Sequence, residues 1–155
     1  MQLWNDGQVM FYIGFPRSLS VMMEPLQRWL EDINGDALSH HCSIYGADTG
    51  YCGEAFYEID REHSLARLNI KLLPGVQGKG IAACALSYTI DQVFRNNLAT
   101  KAYVDPHPKN KNAWTFYAKL GFISQPRPAF LPQGPTYLEI TRDTFTSAYP
   151  GTATV

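Results

Sequence analysis

Apolar residues first recur at helical spacing in "SLSVMMEPLQRWLEDING", where Met22, Leu26, Trp29, Leu30 and Ile33 fall on one stripe. The pattern predicts a helix facing a core, capped by Ser18 or Ser20, with Pro25 in its first turn and Gly35 stopping it after Asn34. The spacing then shortens. "HHCSIYG" and "YCGEAFYEID" read as two strands, and "ADTG" between them supplies hairpin turn chemistry. "HSLARLNIKLL" alternates in part, setting Leu65, Leu68, Ile70 and Leu72 against Arg67, Asn69 and Lys71, and predicts a third strand. The stretch "PGVQGKG" interrupts the pattern. A helix over about residues 81–94 follows, with Ala85, Leu86, Ile90 and Val93 or Phe94 inward. "TKAYVD" predicts a short strand, "KNKNAWTFYAKLGF" a helix closed by Gly121 as a left-handed cap, and "TYLEITRDTF" a last strand. The proline-rich residues 125–135 read as an ordered loop or a broken hairpin. The fold class is therefore mixed α/β (α+β): an antiparallel meander, then one strand–helix–strand unit with a right-handed crossover.

Composition narrows the function rather than the fold. The 155 residues suit a single domain spanning 1–155. Thirteen basic against fourteen acidic residues give a net charge of -1, which argues against a protein that lives on nucleic-acid phosphates. Cys42, Cys52 and Cys84 form no CxxC pair and are odd in number, so they read as reduced thiols rather than a disulfide or zinc framework. No apolar run approaches the roughly 20 residues of a membrane span, and "MQLWNDGQVMFY" has no leader pattern. The expectation is a soluble cytoplasmic protein with no nucleic-acid or membrane partner; a homodimer is compatible with it.

The chemistry concentrates in "PGVQGKGIAACAL". Three glycines in six residues bring bare backbone up to something negatively charged. A triphosphate loop is excluded by spacing, since only two residues separate Gly75 from Gly78 and Gly80 follows Lys79. Gly78, Gly80 and Ala83 do fit the dinucleotide pattern GxGxxA, with Asp105 about where a ribose-binding acid would stand. Four residues nevertheless separate the strand from Gly78, and the chain offers one βαβ unit where that fold needs several.

Taken with the preceding glutamine, Gln77-Gly-Lys-Gly80-Ile-Ala82 fits Q/R-x-x-G-x-G/A, with Pro74 three residues before it. A second block, "NAWTFYAKLGF", follows with Asn112, Tyr117, Lys119 and Gly121 in order. Over about residues 68–122 the chain resembles the GNAT superfamily of acetyl-CoA-dependent N-acetyltransferases. Its N-terminal part resembles the branch of ribosomal-protein alanine N-acetyltransferases, and its C-terminal part the aminoglycoside enzymes. The resemblance implies a mostly antiparallel sheet with one splayed parallel strand pair, "LNIKLL" and "KAYVD". It implies acetyl-CoA as co-substrate and no metal. Backbone groups of Lys71, Leu72 and Leu73 would hold pantetheine through unpaired N–H groups rather than through side chains. Gln77, Gly78, Lys79, Gly80, Ile81 and Ala82 would hold the pyrophosphate, Asn112 the pantetheine arm, and Lys119 the nucleotide phosphates. Tyr117 matches the family's general acid; its phenol, ordinarily near 10, yields a proton only when a thiolate develops beside it. Asp105 matches an amine-contacting aspartate.

The base stays open. Asp105 could hold an ammonium ion, take its proton or start the turn before Pro106. Glu54, Glu58 and Asp60 alternate onto one strand face and could line an acceptor pocket, and a water chain could replace any single base. His40, His41, His63 and His107 show no metal-ligand spacing. The family's usual first strand is absent, supplied by "QVMFYI", or replaced by a partner. The leading expectation is N-acetylation of a polyamine, an aminoglycoside-like sugar or a peptide N-terminus. Its alternatives are a non-catalytic acyl-CoA-binding module and an NAD-binding protein.

Overall fold

Asp6 opens the first helix of the computed structural model, which describes residues 2–15 and 17–148. Its Oδ1 accepts from the backbone N–H of Gln8 (2.8 Å) and Val9 (3.1 Å), two donors that a helix start leaves unpaired. The segment considered as a first strand is therefore a helix, α1 (Gly7–Phe11), with Met10 buried. Helix α2 (Met23–Gly35) starts later than Ser18 or Ser20 would place it. Both serines sit at positive φ (65° and 49°), and Met22 at the cap position makes no side-chain bond. No residue of α2 is fully buried, and Leu26, Trp29, Leu30 and Ile33 are half-buried.

The predicted hairpin is β1 (Ser39–Gly46) and β2 (Gly50–Asp60), joined antiparallel. Register runs from Ser39–Glu58 to Ile44–Gly53 and then slips to Tyr45–Tyr51, which leaves Cys52 as a bulge residue. β3 (Leu65–Leu72) follows, then a single 3-10 turn (Pro74–Val76) and α3 (Ile81–Arg95). Leu86, Ile90, Val93 and Phe94 of α3 are buried, each worth roughly 1.5–3 kcal/mol relative to exposure.

β4 (Lys101–Val104) lies parallel to β3 over Leu65–Lys101, Ala66–Ala102 and Arg67–Tyr103, and the register ends there although β3 continues to Leu72. α4 (Lys111–Lys119) ends before Gly121, which takes φ +96° as a left-handed stop should. A two-residue strand, β5 (Ile123–Ser124), pairs with β6 (Leu138–Thr141), which pairs antiparallel with β4. The strand order is β1-β2-β3-β4-β6-β5. The tail predicted as one strand is β6 followed by α5 (Arg142–Ala148), so "RDTF" is helical. Between β5 and β6 the proline-rich loop is held by Arg127, which donates to the carbonyls of Pro132 and Thr136, both at 2.7 Å.

Two compact units partition the chain. One comprises Met1–Glu58 and Asn69–Leu86, the other Ile59–Leu68 and Ser87–Val155. In the first, Cys52, Leu72 and Val76 form a core with Ile44, Leu73, Ile81 and Ala82. In the second, Leu65, Tyr103 and Tyr137 pack with Leu131, and the two tyrosine rings stack at 5.2 Å.

Candidate active site

The glycine stretch folds as a cradle. Val76 N–H donates to Leu73 O and Gln77 N–H to Pro74 O, which closes the 3-10 turn. Gly78 and Gly80 then take φ +76° and +80°, where an L side chain is strained, and the space beside each is open. Cys84 N–H donates to Gly80 O as the first turn of α3 closes, so the amides of Ile81, Ala82 and Ala83 precede the helical ladder. Amides that precede the ladder at the start of a 15-residue helix, with the positive end of its dipole behind them, are an arrangement that favours an anionic group. Lys79 is exposed beside it. Gln77 does something the sequence did not signal. Its Nε2 donates to Leu72 O at 3.1 Å and ties the cradle to the end of β3.

Two expectations about β3 change. Leu73 N–H donates to Cys52 O at 2.9 Å, so it is not one of the unpaired donors. Lys71, read as a polar, outward position, is buried, and its Nζ lies 2.6 Å from Glu54 Oε1. The approach of β2 to β3 that permits both requires Gly53. A Cβ there would stand 2.1 Å from Lys71 O and 2.9 Å from Leu72 Cα.

Glu54 has both oxygens engaged. Oε1 accepts from Lys71, while Oε2 accepts from Trp4 Nε1 at 3.0 Å and lies 3.4 Å from His41 Nε2. Burial alone pushes this carboxyl up, but the His41 ring together with the charge and hydrogen bond of Lys71 outweighs it and holds the group down at about 2. Lys71 Nζ also sits 4.3 Å from the Trp4 ring centroid. A cavity of about 320 Å³ opens onto this cluster, walled by Trp4 and Tyr51 and, from α2, by Leu26, Trp29 and Leu30. The α2 stripe that reads as core in sequence is thus a cavity wall. Tyr51 is pushed up to about 12 by burial, with the charges of Glu54 and Tyr45 adding to it, so its phenol stays protonated. Of the three acids proposed for an acceptor pocket only Glu54 lines this cavity; Glu58 is exposed, and Asp60 pairs with His63 at 2.7 Å. A broader open depression along Asn5–Tyr12 holds one carboxylate, Asp6, already occupied in capping α1.

In the other unit, Tyr117 on α4 is buried, with its ring edge-on to Phe122 at 5.5 Å. Burial, and secondarily the charge of Asp105, raise its phenol well above the ordinary range. Asp105 faces two guanidiniums, Arg127 at 3.7 Å and Arg67 at 4.0 Å, neither of which the sequence suggested. Its charge is therefore already compensated. Asn112 and Lys119 are exposed on α4, and the helix is capped by Asn110, whose Oδ1 accepts from Ala113 N–H at 3.1 Å. Among the described residues no group of three or more His, Cys, Asp or Glu side chains is placed to hold a metal ion. No helix of the described residues is long and apolar enough to cross a membrane.

Comparison with known proteins fits this geometry. A family model described as "Acetyltransferase (GNAT) domain" matches residues 1–123, which include the cradle and α4. The chain belongs to the GNAT acetyltransferase family. Among solved structures it is similar to the spermidine N-acetyltransferase of Vibrio cholerae in complex with CoA and spermine, with TM-score 0.77, 21% identity, and coverage of 93% of this chain and 88% of that one. The same enzyme in complex with manganese ions gives TM-score 0.66 at 21% identity, covering 80% and 77%. A chimera of it gives 0.70 at 20% identity, covering 83% and 84%. At these identities the likeness establishes the fold. These structures are spermidine enzymes rather than the ribosomal-protein or aminoglycoside enzymes suggested by the two ends of the sequence. No curated protein matches the chain significantly.

Proposed function

We propose that this chain moves the acetyl group of acetyl-CoA to a small primary amine by direct attack, with residues 1–155 acting as one domain. The observation that carries the reading is the cradle at the start of α3, where the glycines at 78 and 80 keep a run of amides clear for a diphosphate. Gly78, Lys79, Gly80, Ile81 and Ala82 hold the pyrophosphate through their N–H groups, and Gln77 keeps the loop in shape. Main-chain groups of Lys71 and Leu72, and the carbonyl of Leu73, hold the pantetheine. Asn112 and Lys119 meet the arm and the nucleotide from α4. The neutral amine attacks the thioester carbon. A C–N bond forms, the C–S bond breaks, the departing thiolate takes the proton of the Tyr117 hydroxyl, and the proton shed by the attacking nitrogen passes through water to restore the phenol. A phenol held above its ordinary range stays protonated until that charge appears. Asp105, clasped by Arg67 and Arg127, orients that end of the site rather than serving as a free base.

Thiol release from acetyl-CoA over a panel of primary amines tests this in the wild type and in Tyr117→Phe. Turnover in the wild type, reduced in the variant with coenzyme affinity kept, is expected. Coenzyme binding with no turnover on any amine would make the chain a binding module instead, and protection by NAD but not by coenzyme A in a thermal melt would overturn the cradle assignment.

A further inference from the structure

The cavity over Glu54 carries an inference about the acceptor, and it rests on the reading above. Aromatic walls with a carboxylate beneath them ordinarily make a site for an organic cation. Here that place is taken. Lys71 is the cation, held at 2.6 Å by Glu54 and lying over the Trp4 ring. The carboxylate charge is neutralised inside the protein, and the rest of the wall carries no second carboxylate: two indoles, a phenol and two leucines, with His41, Gln2 and Ser43 as its other polar groups. A second ammonium entering this space would lose its water and find no free counter-charge, which is costly for a buried ion.

One polar group remains unmet. The His41 side chain is 3% exposed, it lines the cavity, and its Nε2 has no hydrogen-bond partner. Its 3.4 Å approach to Glu54 Oε2 helps hold that carboxylate but lacks the alignment of a hydrogen bond, so the nitrogen keeps room for a partner. Trp29 stands edge-on to the ring at 5.2 Å and Phe56 stacks on it at 6.1 Å, so the imidazole cannot swing to find another partner without disturbing both. A neutral primary amine carries a lone pair and two N–H bonds, and so satisfies Nε2 in either tautomer. Gln2 and Ser43, both exposed, line the same cavity and leave it open to solvent. A volume of about 320 Å³ stands at the small end of small-molecule pockets, which run from ~300 to 1,000 Å³.

We infer that this cavity is the acceptor pocket, that it takes a primary amine with an uncharged aliphatic or aromatic body, and that Lys71, as a built-in cation, excludes diamines and polyamines. His41 meets the amine nitrogen, and Trp4, Trp29 and Leu26 hold the body.

Matched amines test it, since pentylamine and 1,5-diaminopentane differ chiefly by a second ammonium; phenethylamine adds an aromatic body. Binding is read from tryptophan fluorescence with and without coenzyme A, and kcat/KM from thiol release. The wild type is expected to prefer pentylamine and phenethylamine over the diamine by at least tenfold in both readouts. Trp29→Ala is expected to lose more than tenfold for these two. Leu30→Glu, which adds a carboxylate to a half-buried wall position, is expected to move preference toward the diamine. Saturable binding of the monoamines without turnover keeps the pocket and removes the acetyl-transfer reading. Diamine or spermidine used as well as the monoamines, no binding of any amine, or monoamine use unchanged in Trp29→Ala would overturn the inference.

Discussion

Lys71→Met isolates the physics of the buried ion cluster. Met preserves most of the side chain's length and apolar volume and removes the charge. In the native protein the Glu54 carboxyl is held at about 2 instead of its ordinary 4.5. That gap, about 2.5 pH units at about 1.4 kcal/mol each, corresponds to about 3–4 kcal/mol of stability at neutral pH. Lys71 and His41 together supply it against the cost of burial. With Lys71 gone, only His41 and the neutral Trp4 N–H face a carboxylate that is 5% exposed, and breaking a buried pair in this way costs about 3–5 kcal/mol. For a chain of this size that lowers Tm by roughly 10 °C. Sign and pH window follow from the same quantities. Because Glu54 is depressed, its contribution is complete above about pH 4.5 and is lost as pH falls toward 2. In Lys71→Met, burial pushes the carboxyl up, so the variant's deficit is large at pH 7 and shrinks as acid protonates Glu54. Urea unfolding at pH 7 and pH 4, followed by circular dichroism, measures both. The double variant Lys71→Met/Glu54→Gln removes both charges and is expected to recover most of the loss. A deficit below about 1 kcal/mol at pH 7, or a double variant no more stable than Lys71→Met, would refute the claim that each charge is there to compensate the other.

Three further outcomes are expected. Gly80→Val forces a β-branched residue to φ +80° in the cradle, and coenzyme A should cease to bind by calorimetry while the melt shifts only modestly. Tyr117→Phe should lower kcat by about 10²–10⁴ with coenzyme Kd unchanged, measured by single turnover. Gly53→Ala places a methyl 2.1 Å from the Lys71 carbonyl, and because backbone cannot yield there, the thermal midpoint should fall by more than for Gly78→Ala, whose surroundings are open.

Local spacing made much of this protein legible. The 2-residue and 3.6-residue periods placed the hairpin, β3, α3 and α4 close to where they stand, because a strand or helix face must bury its apolar side whatever it packs against. The cradle was legible for a similar reason, since a backbone that must turn at positive φ and start a helix needs Gly78 and Gly80 wherever the chain goes next. Short elements were not. α1, β5 and α5 span 5, 2 and 7 residues, too few for a period to register. Tertiary contact alone decided the polar centre. Lys71 reads as solvent-facing in "NIKLL", yet Glu54 seventeen residues earlier, His41 and Trp4 make its burial tolerable. Likewise, Arg67 and Arg127 flank Asp105 from sites 38 residues before it and 22 after it. Period and turn chemistry are properties of neighbours in the chain, whereas the compensation of a buried charge depends on groups that only folding brings together.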